Sequence, residues 1–259
     1  NFSLSDDGGI FGNERKTFTN LLPGIYSVVE IADQYNDWDL ANVTCSNGSL
    51  NTAINLSAGE NITCTFTNNL KGSISGHKYR DADGNTSTID DRVTVPNWTI
   101  ELWQGGSKLS TTTTDQNGAY SFTKLTPGNY TLVEVVTPGW YVTPTSGSQN
   151  LNITLTPGLI STDNDFINTQ FTSITVHKNV DTDGDGDVDE THSTAWKWNL
   201  IGNVASTEHS TGDTVSGLYP GSYTISEQQQ NGYFVNSLVC NNGIVGAGGP
   251  ENNYGAVTG

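Results

Sequence analysis

The chain has 259 residues, enough for about two domains of ordinary size. Its 10 Lys and Arg against 27 Asp and Glu give a formal charge of −17. That sign repels phosphate backbones and anionic lipid, so nucleic acid and membrane surfaces are excluded as partners. No apolar run approaches the ~20 residues of a membrane span, so nothing in this segment inserts into a bilayer. Charged residues are only 14% of the chain, which leaves solubility to Asn, Thr, Ser and Gly. With 6 Trp, 10 Tyr and 8 Phe the chain is too aromatic to be disordered, and its 34% apolar residues suit modest cores, not one large one.

In chain order, the first recognisable phrase is Leu22-Pro23-Gly24-Ile25-Tyr26-Ser27-Val28-Val29-Glu30. It returns as Leu125-Thr126-Pro127-Gly128-Asn129-Tyr130-Thr131-Leu132-Val133-Glu134 and as Leu218-Tyr219-Pro220-Gly221-Ser222-Tyr223-Thr224-Ile225-Ser226-Glu227. The recurrence distance is about 100 residues, the size of a small domain and not of a solenoid turn. Two further phrases repeat. Val43-Thr44-Cys45-Ser46-Asn47-Gly48 returns as Leu238-Val239-Cys240-Asn241-Asn242-Gly243, and His77-Lys78-Tyr79-Arg80-Asp81-Ala82-Asp83-Gly84 returns as His177-Lys178-Asn179-Val180-Asp181-Thr182-Asp183-Gly184. Three modules replace the two that length suggests, with boundaries at 1–69, 70–171 and 172–259.

Each module reads as all-β. Trp98-Thr99-Ile100-Glu101-Leu102-Trp103 and Tyr130 to Val136 are rich in β-branched and aromatic residues, and Pro-Gly, Asn-Gly and Gly-Gly turns interrupt such runs at roughly 8–12 residues, the spacing of a sandwich. No stretch sustains a helical period with caps. The Pro-Gly ahead of each Tyr-x-x-x-Glu run predicts a tight turn feeding a central strand. Only Asn69-Leu70 and Gln170-Phe171-Thr172 separate the modules, and linkers that short predict a semi-rigid rod.

The middle module resembles the prealbumin-like B-type repeats of Gram-positive surface proteins, among them the collagen-adhesin B and serine-aspartate-repeat B domains. The residues that carry the resemblance are Ile74-Ser75-Gly76-His77-Lys78-Tyr79-Arg80-Asp81, Thr114-Asp115-Gln116-Asn117-Gly118-Ala119-Tyr120-Ser121-Phe122, Leu125 to Glu134, and Asp165-Phe166-Ile167-Asn168. The outer modules match over part of their length. The first opens at Phe2-Ser3-Leu4, which is similar to the family's second strand, and the third stops at Gly259 before a closing Phe-x-Asn strand. Two arrangements fit such ends: a piece of a longer array, or subunits that exchange strands head to tail. The resemblance implies tandem Ig-like β-sandwiches in an extracellular stalk or filament whose partners are neighbouring modules or copies.

Asp181-Thr182-Asp183-Gly184-Asp185-Gly186-Asp187-Val188-Asp189-Glu190 alternates carboxylates along a Gly-punctuated loop, the pattern that converges oxygens on a hard cation such as Ca²⁺. Gly186 stands at the sixth position, where such loops turn. Position twelve is His192, so no helical EF-hand surrounds it. Asp81, Asp83 and Asn85, with Asp90 and Asp91, repeat the pattern with fewer charges and predict weaker binding. Calcium is the reading taken for both, with a solvated acidic turn as the bland alternative. Each loop follows a module's first strand, where an ion would stiffen the joint.

Ile74, Gly76 and Lys78 fall on one strand face, as do Ile174, Val176, Lys178 and Val180. An ammonium on a core face is costly unless paired or neutralised. Glu134 and Glu227 share the face of Tyr130 and Tyr223, four residues on. The resemblance supplies a task for this set: Lys78 attacks the Asn168 side chain, ammonia leaves, and Glu134 shuttles protons. Burial favours that chemistry, because it lowers a lysine pKa and raises a glutamate pKa. A buried ion pair, or a Lys reaching out along an edge strand, is the bland alternative. The first module keeps Glu30 and Asn68 without a first-strand Lys; the third keeps Lys178 and Glu227 without a terminal Asn.

Cys45 and Cys64 flank a segment that reads as a hairpin whose ends meet, and the surface-protein resemblance favours a disulfide over two reduced thiols. Closing that loop is worth ~3 kcal/mol in the chain-entropy model. Cys240 has no partner in sequence. Eight Asn-x-Ser/Thr sites, at Asn42, Asn47, Asn55, Asn61, Asn85, Asn97, Asn129 and Asn152, read as composition. The histidines His77, His177, His192 and His209 form no metal-spaced pair or triad, so no enzyme is expected. The rival reading is an adhesin module binding a glycan or matrix protein through Trp98, Trp103, Trp140, Trp196 and Trp198, although Trp196 and Trp198 share a strand face that suits a core.

Overall fold

The computed structural model describes residues 15–31, 36–84, 88–143, 149–183, 189–191, 196–202, 207–228, 230–231, 238–239, 245–246 and 256–258. All of its regular elements are strands, and no helix among the described residues is long and apolar enough to cross a membrane. Contacts divide the chain into two compact units. One comprises Asn1–Gly72 with Lys124–Pro127 and Thr156–Leu159; the other comprises Ser73–Thr123, Gly128–Leu155 and Ile160–Gly259.

In the first unit, β1 (Gly24–Tyr26) pairs with β3 (Ile54–Leu56), and β2 (Trp38–Cys45) pairs with β4 (Cys64–Leu70), all antiparallel. Cys45 and Cys64 stand opposite each other in that register and are joined by a disulfide. The segment between them is more than a hairpin loop, because β3 leaves it to pair with β1. The Tyr26 hydroxyl donates to the Leu22 carbonyl, 2.7 Å away, and pins the Leu-Pro-Gly turn. The third copy of the phrase uses the same bond, from Tyr223 to the Tyr219 carbonyl.

The second unit begins at Ser73, within β5 (Gly72–Arg80), which Lys71 alone separates from β4. Then follow β6 (Val93–Thr94), β7 (Thr99–Gln104), β8 (Ser107–Thr113), β9 (Ala119–Leu125), β10 (Gly128–Glu134), β11 (Trp140–Val142), β12 (Asn150–Leu155), β13 (Ile160–Ser161) and β14 (Phe166–Gln170). They form a β-sandwich. One sheet runs β12-β10-β7-β8 and the other β11-β14-β5-β13, with β6 and β9 also on β5. Alternation decides the faces: along β5 every second residue from Gly72 to Lys78 is buried, and along β10 the buried set is Tyr130, Leu132 and Glu134. Ile74, Ile100, Leu102 and Leu132 fill the core, each fully buried.

The strands that open and close this sandwich, β5 and β14, lie side by side in parallel, with Phe166 opposite Lys78. A parallel pair needs a long crossover, and here the whole sandwich is the crossover. Gly76 makes part of the close packing possible, since a Cβ there would sit 2.2 Å from the Asn164 carbonyl oxygen. Gly76→Ala is therefore expected to force the backbone apart and to destabilise by at least the ~1–3 kcal/mol of an overpacked core, read as a lower urea midpoint at unchanged slope.

Beyond Phe171 come β15 (Thr172–Thr175), β16 (Asn179–Val180), β17 (Glu190–Thr191), β18 (Lys197–Ile201), β19 (Thr207–Ser210), β20 (Thr214–Leu218), β21 (Ser222–Glu227), β22 (Leu238–Val239), β23 (Val245–Gly246) and β24 (Ala256–Thr258). The sheet β19-β18-β21-β24 and the pair β15-β20 enclose Trp198, Leu200, Leu218, Tyr223 and Ile225, with Ile174, Val176 and Val215 packed against them.

Candidate functional site

Lys78 on β5, Glu134 on β10 and Asn168 on β14 meet in the sandwich interior, and all three are buried to within 1%. Lys78 Nζ lies 3.1 Å from Glu134 Oε2, and Asn168 Nδ2 donates to the same oxygen at 3.1 Å. Asn168 Oδ1 is buried with no hydrogen-bond partner. Burial pushes the Lys78 amine down to about 8, against the opposing pull of Glu134. Burial likewise raises the Glu134 carboxyl above the usual range, although Lys78 and Asn168 hold it back. The backbone of Lys78 is fixed as well: its N–H donates to the Gly118 carbonyl of the Asp115–Gly118 turn at 2.8 Å, and its own carbonyl accepts from Val95.

The sequence offers Trp98 as a candidate ligand-binding aromatic; the structure instead buries it and lays its ring over Lys78, with Nζ 4.6 Å from the ring centroid. The arrangement recurs further along the chain. Lys178 Nζ is 3.1 Å from Glu227 Oε1 and 4.4 Å from the centroid of the Trp196 ring. The registers correspond, because Glu134 stands opposite Ile100 and Glu227 opposite Trp198, each two residues after its tryptophan. The signal that could have found this is the Trp-x-apolar spacing shared by Trp98-Thr99-Ile100 and Trp196-Lys197-Trp198. The Lys178 and Glu227 side chains keep 20% exposure, where Lys78 and Glu134 keep none. In the first unit, Asn68 Nδ2 donates to Glu30 Oε1.

Both acidic loops gather carboxylates. Asp81, Asp83 and Asp91 bring an oxygen each within 4.8 Å of one another, and so do Asp181, Asp183 and Asp189. The closing Asp plays one role in both: Asp91 Oδ2 accepts from the Ala82 and Asp83 N–H groups, and Asp189 Oδ2 accepts from the Thr182 N–H and hydroxyl. Asp81 is wholly buried, and its Oδ2, like Asp91 Oδ1, is a buried oxygen with no donor. Burial first, and then Asp83 and Asp91, push the Asp81 carboxyl up. Unpartnered carboxylate oxygens facing one another are the donor set a hard cation takes. Asp90 lies outside the first group. Asn85, Asp185, Asp187 and the Glu190 side chain lie outside the described residues, as do Phe2 to Leu4, His192 and Cys240.

Beside the first acidic loop, the rings of Tyr141, Phe171 and Tyr219 cluster with centroids 4.6–5.3 Å apart, Tyr219 meeting the other two edge to face. Phe171 alone separates β14 from β15, so this cluster sits where the sandwich passes into the next segment. Trp98, Trp196 and Trp198 are buried, while Trp103 and Trp140 are half-buried. The first three are core side chains and offer no exposed face.

Residues 72–183 match the SdrD B-like domain family, and residues 170–251 match the prealbumin-like fold domain family. The serine-aspartate repeat-containing protein D of Staphylococcus aureus strain Newman is 30% identical over 243 residues, covering 86% of this chain and 18% of that protein. The strain MW2 protein is also 30% identical, with 17% of its length covered. The chain thus spans less than a fifth of the curated relatives it matches. Among solved structures, the major pilin subunit BcpA of Bacillus cereus aligns over 73% of this chain and 95% of its own at 10% identity and TM-score 0.29. A B repeat of the Staphylococcus aureus collagen-binding surface protein aligns over 67% and 93% at 17% identity and TM-score 0.24. Residues 72–183 and 170–251 are thus similar to the prealbumin-like B-type repeats of bacterial surface proteins, a likeness that places the chain at the cell surface.

Proposed function

We propose that the chain is a structural, non-enzymatic stalk segment of a cell-surface protein, built from three modules at 1–69, 70–171 and 172–259. The observation that carries this reading is the burial of Lys78 and Asn168 on adjacent strands, converging on one oxygen of Glu134. A load applied along the chain enters the sandwich at β5 and leaves at β14, so a bond between these two strands would carry it covalently.

The chemistry balances within the site. The Lys78 Nζ lone pair attacks Asn168 Cγ, the Cγ–Nδ2 bond breaks, and one proton passes from Nζ to the departing Nδ2, which leaves as ammonia. Glu134 touches both nitrogens and relays that proton; when protonated it also has the unpartnered Asn168 Oδ1 to polarise. The test is intact mass. The expected result is a chain lighter than its sequence by one ammonia, with the linked Lys78 and Asn168 peptides recovered after proteolysis. A full, unmodified mass overturns the crosslink.

In the same reading Ca²⁺ occupies the two acidic loops and stiffens the joints beside them. The aromatic cluster of Tyr141, Phe171 and Tyr219 supports a stiff joint at residue 171. The partners implied are neighbouring modules or copies: a strand bearing a carboxamide would complete the Lys178–Glu227 pair, and one bearing a lysine would complete Glu30–Asn68.

A further inference from the structure

We propose that Trp98 is a positioning residue for the Lys78–Asn168 reaction: its ring holds the amine against Glu134 and keeps water from it, an inference that rests on the crosslinking reading above. Three observations carry it. The Lys78 amine sits over the ring at 4.6 Å and lies 3.1 Å from Glu134 Oε2, so the same nitrogen meets both a π face and a carboxylate. The ring is itself braced. It meets Trp140 edge to face at 5.2 Å, and its backbone N–H donates to the buried Thr114 hydroxyl at 2.9 Å. Lastly, the device is built twice. Trp196 lies under Lys178 in the same register, and Thr211 stands where Thr114 does, with its N–H donating to the Trp196 carbonyl. A large residue that merely filled space would have no reason to meet the amine face-on both times.

Physically, a tryptophan face does two things for such an amine. It removes rotamers that point Nζ away from the carboxamide, so less orientation is lost on the way to reaction. It also replaces water, and in a dry site a lysine and a glutamate sharing one proton exist more often as the neutral amine and acid than as the ion pair. The reactive form carries that one shared proton. The rate should therefore form a plateau, falling at high pH as the pair loses its proton and at low pH as it gains a second. Glu134 from β10 is the charged group acting on Lys78. Tyr120 from β9 lies near Glu134 and Asp165, and burial raises its hydroxyl so that it stays protonated throughout.

The experiment follows ammonia loss by intact mass after cell-free synthesis of the wild type, Trp98→Leu and Trp98→Phe, at a series of pH values. In wild type the alkaline limb falls near the Lys78 value of about 8. Trp98→Leu should slow the reaction about tenfold or more at neutral pH, as expected when orientation is lost. It should also move the alkaline limb up toward the ordinary lysine value of 10.5. Trp98→Phe, with a smaller π face, should move that limb by less. Wild-type limbs and rate in a folded Trp98→Leu overturn the proposal and leave Trp98 a core residue, with the crosslinking reading intact. Should Trp98→Leu not fold by circular dichroism, Trp98→Phe decides, and unchanged limbs overturn the proposal again. A wild type that keeps its full mass at every pH overturns the crosslinking reading and this proposal with it.

Discussion

Asn168→Ala should leave a folded chain of unmodified mass that melts far below the wild type. The substitution keeps the Lys78–Glu134 pair and removes the covalent bond together with the carboxamide's hydrogen bond to Glu134. A bond from Lys78 to Asn168 closes most of the sandwich into a loop, and the chain-entropy estimate for a loop near 100 residues is ~4–5 kcal/mol. In a domain of this size each kcal/mol moves the melting temperature by about 4–8 °C, so the drop should be roughly 20 °C or more. Lys78→Met should fall further. It loses the crosslink and also leaves Glu134 buried without its partner, and breaking a buried pair costs another ~3–5 kcal/mol. Calorimetry paired with intact mass checks both variants. Melting of Asn168→Ala within a few degrees of the wild type would mean that no bond between β5 and β14 holds the sandwich.

Chelation should lower the melting temperature without changing the mass, which separates the ion from the crosslink. For a free Ca²⁺ concentration about 100-fold above Kd, each occupied site stabilises by ~2.7 kcal/mol. Extracellular modules bind at roughly 10⁻⁴–10⁻³ M, so millimolar Ca²⁺ should give part of that. Asp91→Asn and Asp189→Asn should each remove one site's share, since Asp91 and Asp189 close their loops by accepting backbone N–H groups and also offer an oxygen to the cluster. The loss should be greater at the second loop, whose sequence holds more carboxylates. Identical melting in chelator and in Ca²⁺ would show that the carboxylates are solvated acidic turns.

Much of this architecture is legible without coordinates, because strand alternation is a local property. Ile74, Gly76 and Lys78 had to share a face whatever the fold, and a lysine on an apolar face had to have a partner. The Tyr-x-x-x-Glu phrase likewise put Glu134 on the face of Tyr130, where it is found. The acidic loops are legible for a related reason, since alternating carboxylates close together in the chain repel one another whatever surrounds them. The tryptophans were harder. Trp98 reads as a candidate ligand-binding aromatic because nothing local links it to Lys78, 20 residues earlier on β5. The segment between Cys45 and Cys64 reads as a simple hairpin because the pairing of Ile54–Leu56 with Gly24–Tyr26 is set by residues far upstream.

Composition established an acidic chain, the β-branched runs and their turn spacing predicted an all-β fold, and the repeated phrases marked a period of about 100 residues. These follow from composition and from a two-residue alternation that needs no tertiary information. What only the folded chain decided is which groups meet. The parallel pairing of β5 with β14 across the whole sandwich brings Lys78 and Asn168 onto one Glu134 oxygen, and sheet-on-sheet packing slides the Trp98 ring over the amine. Residues far apart in sequence come together only because an interior this small has one dry place for a lysine, and the strands that bound it carry the residues that receive it.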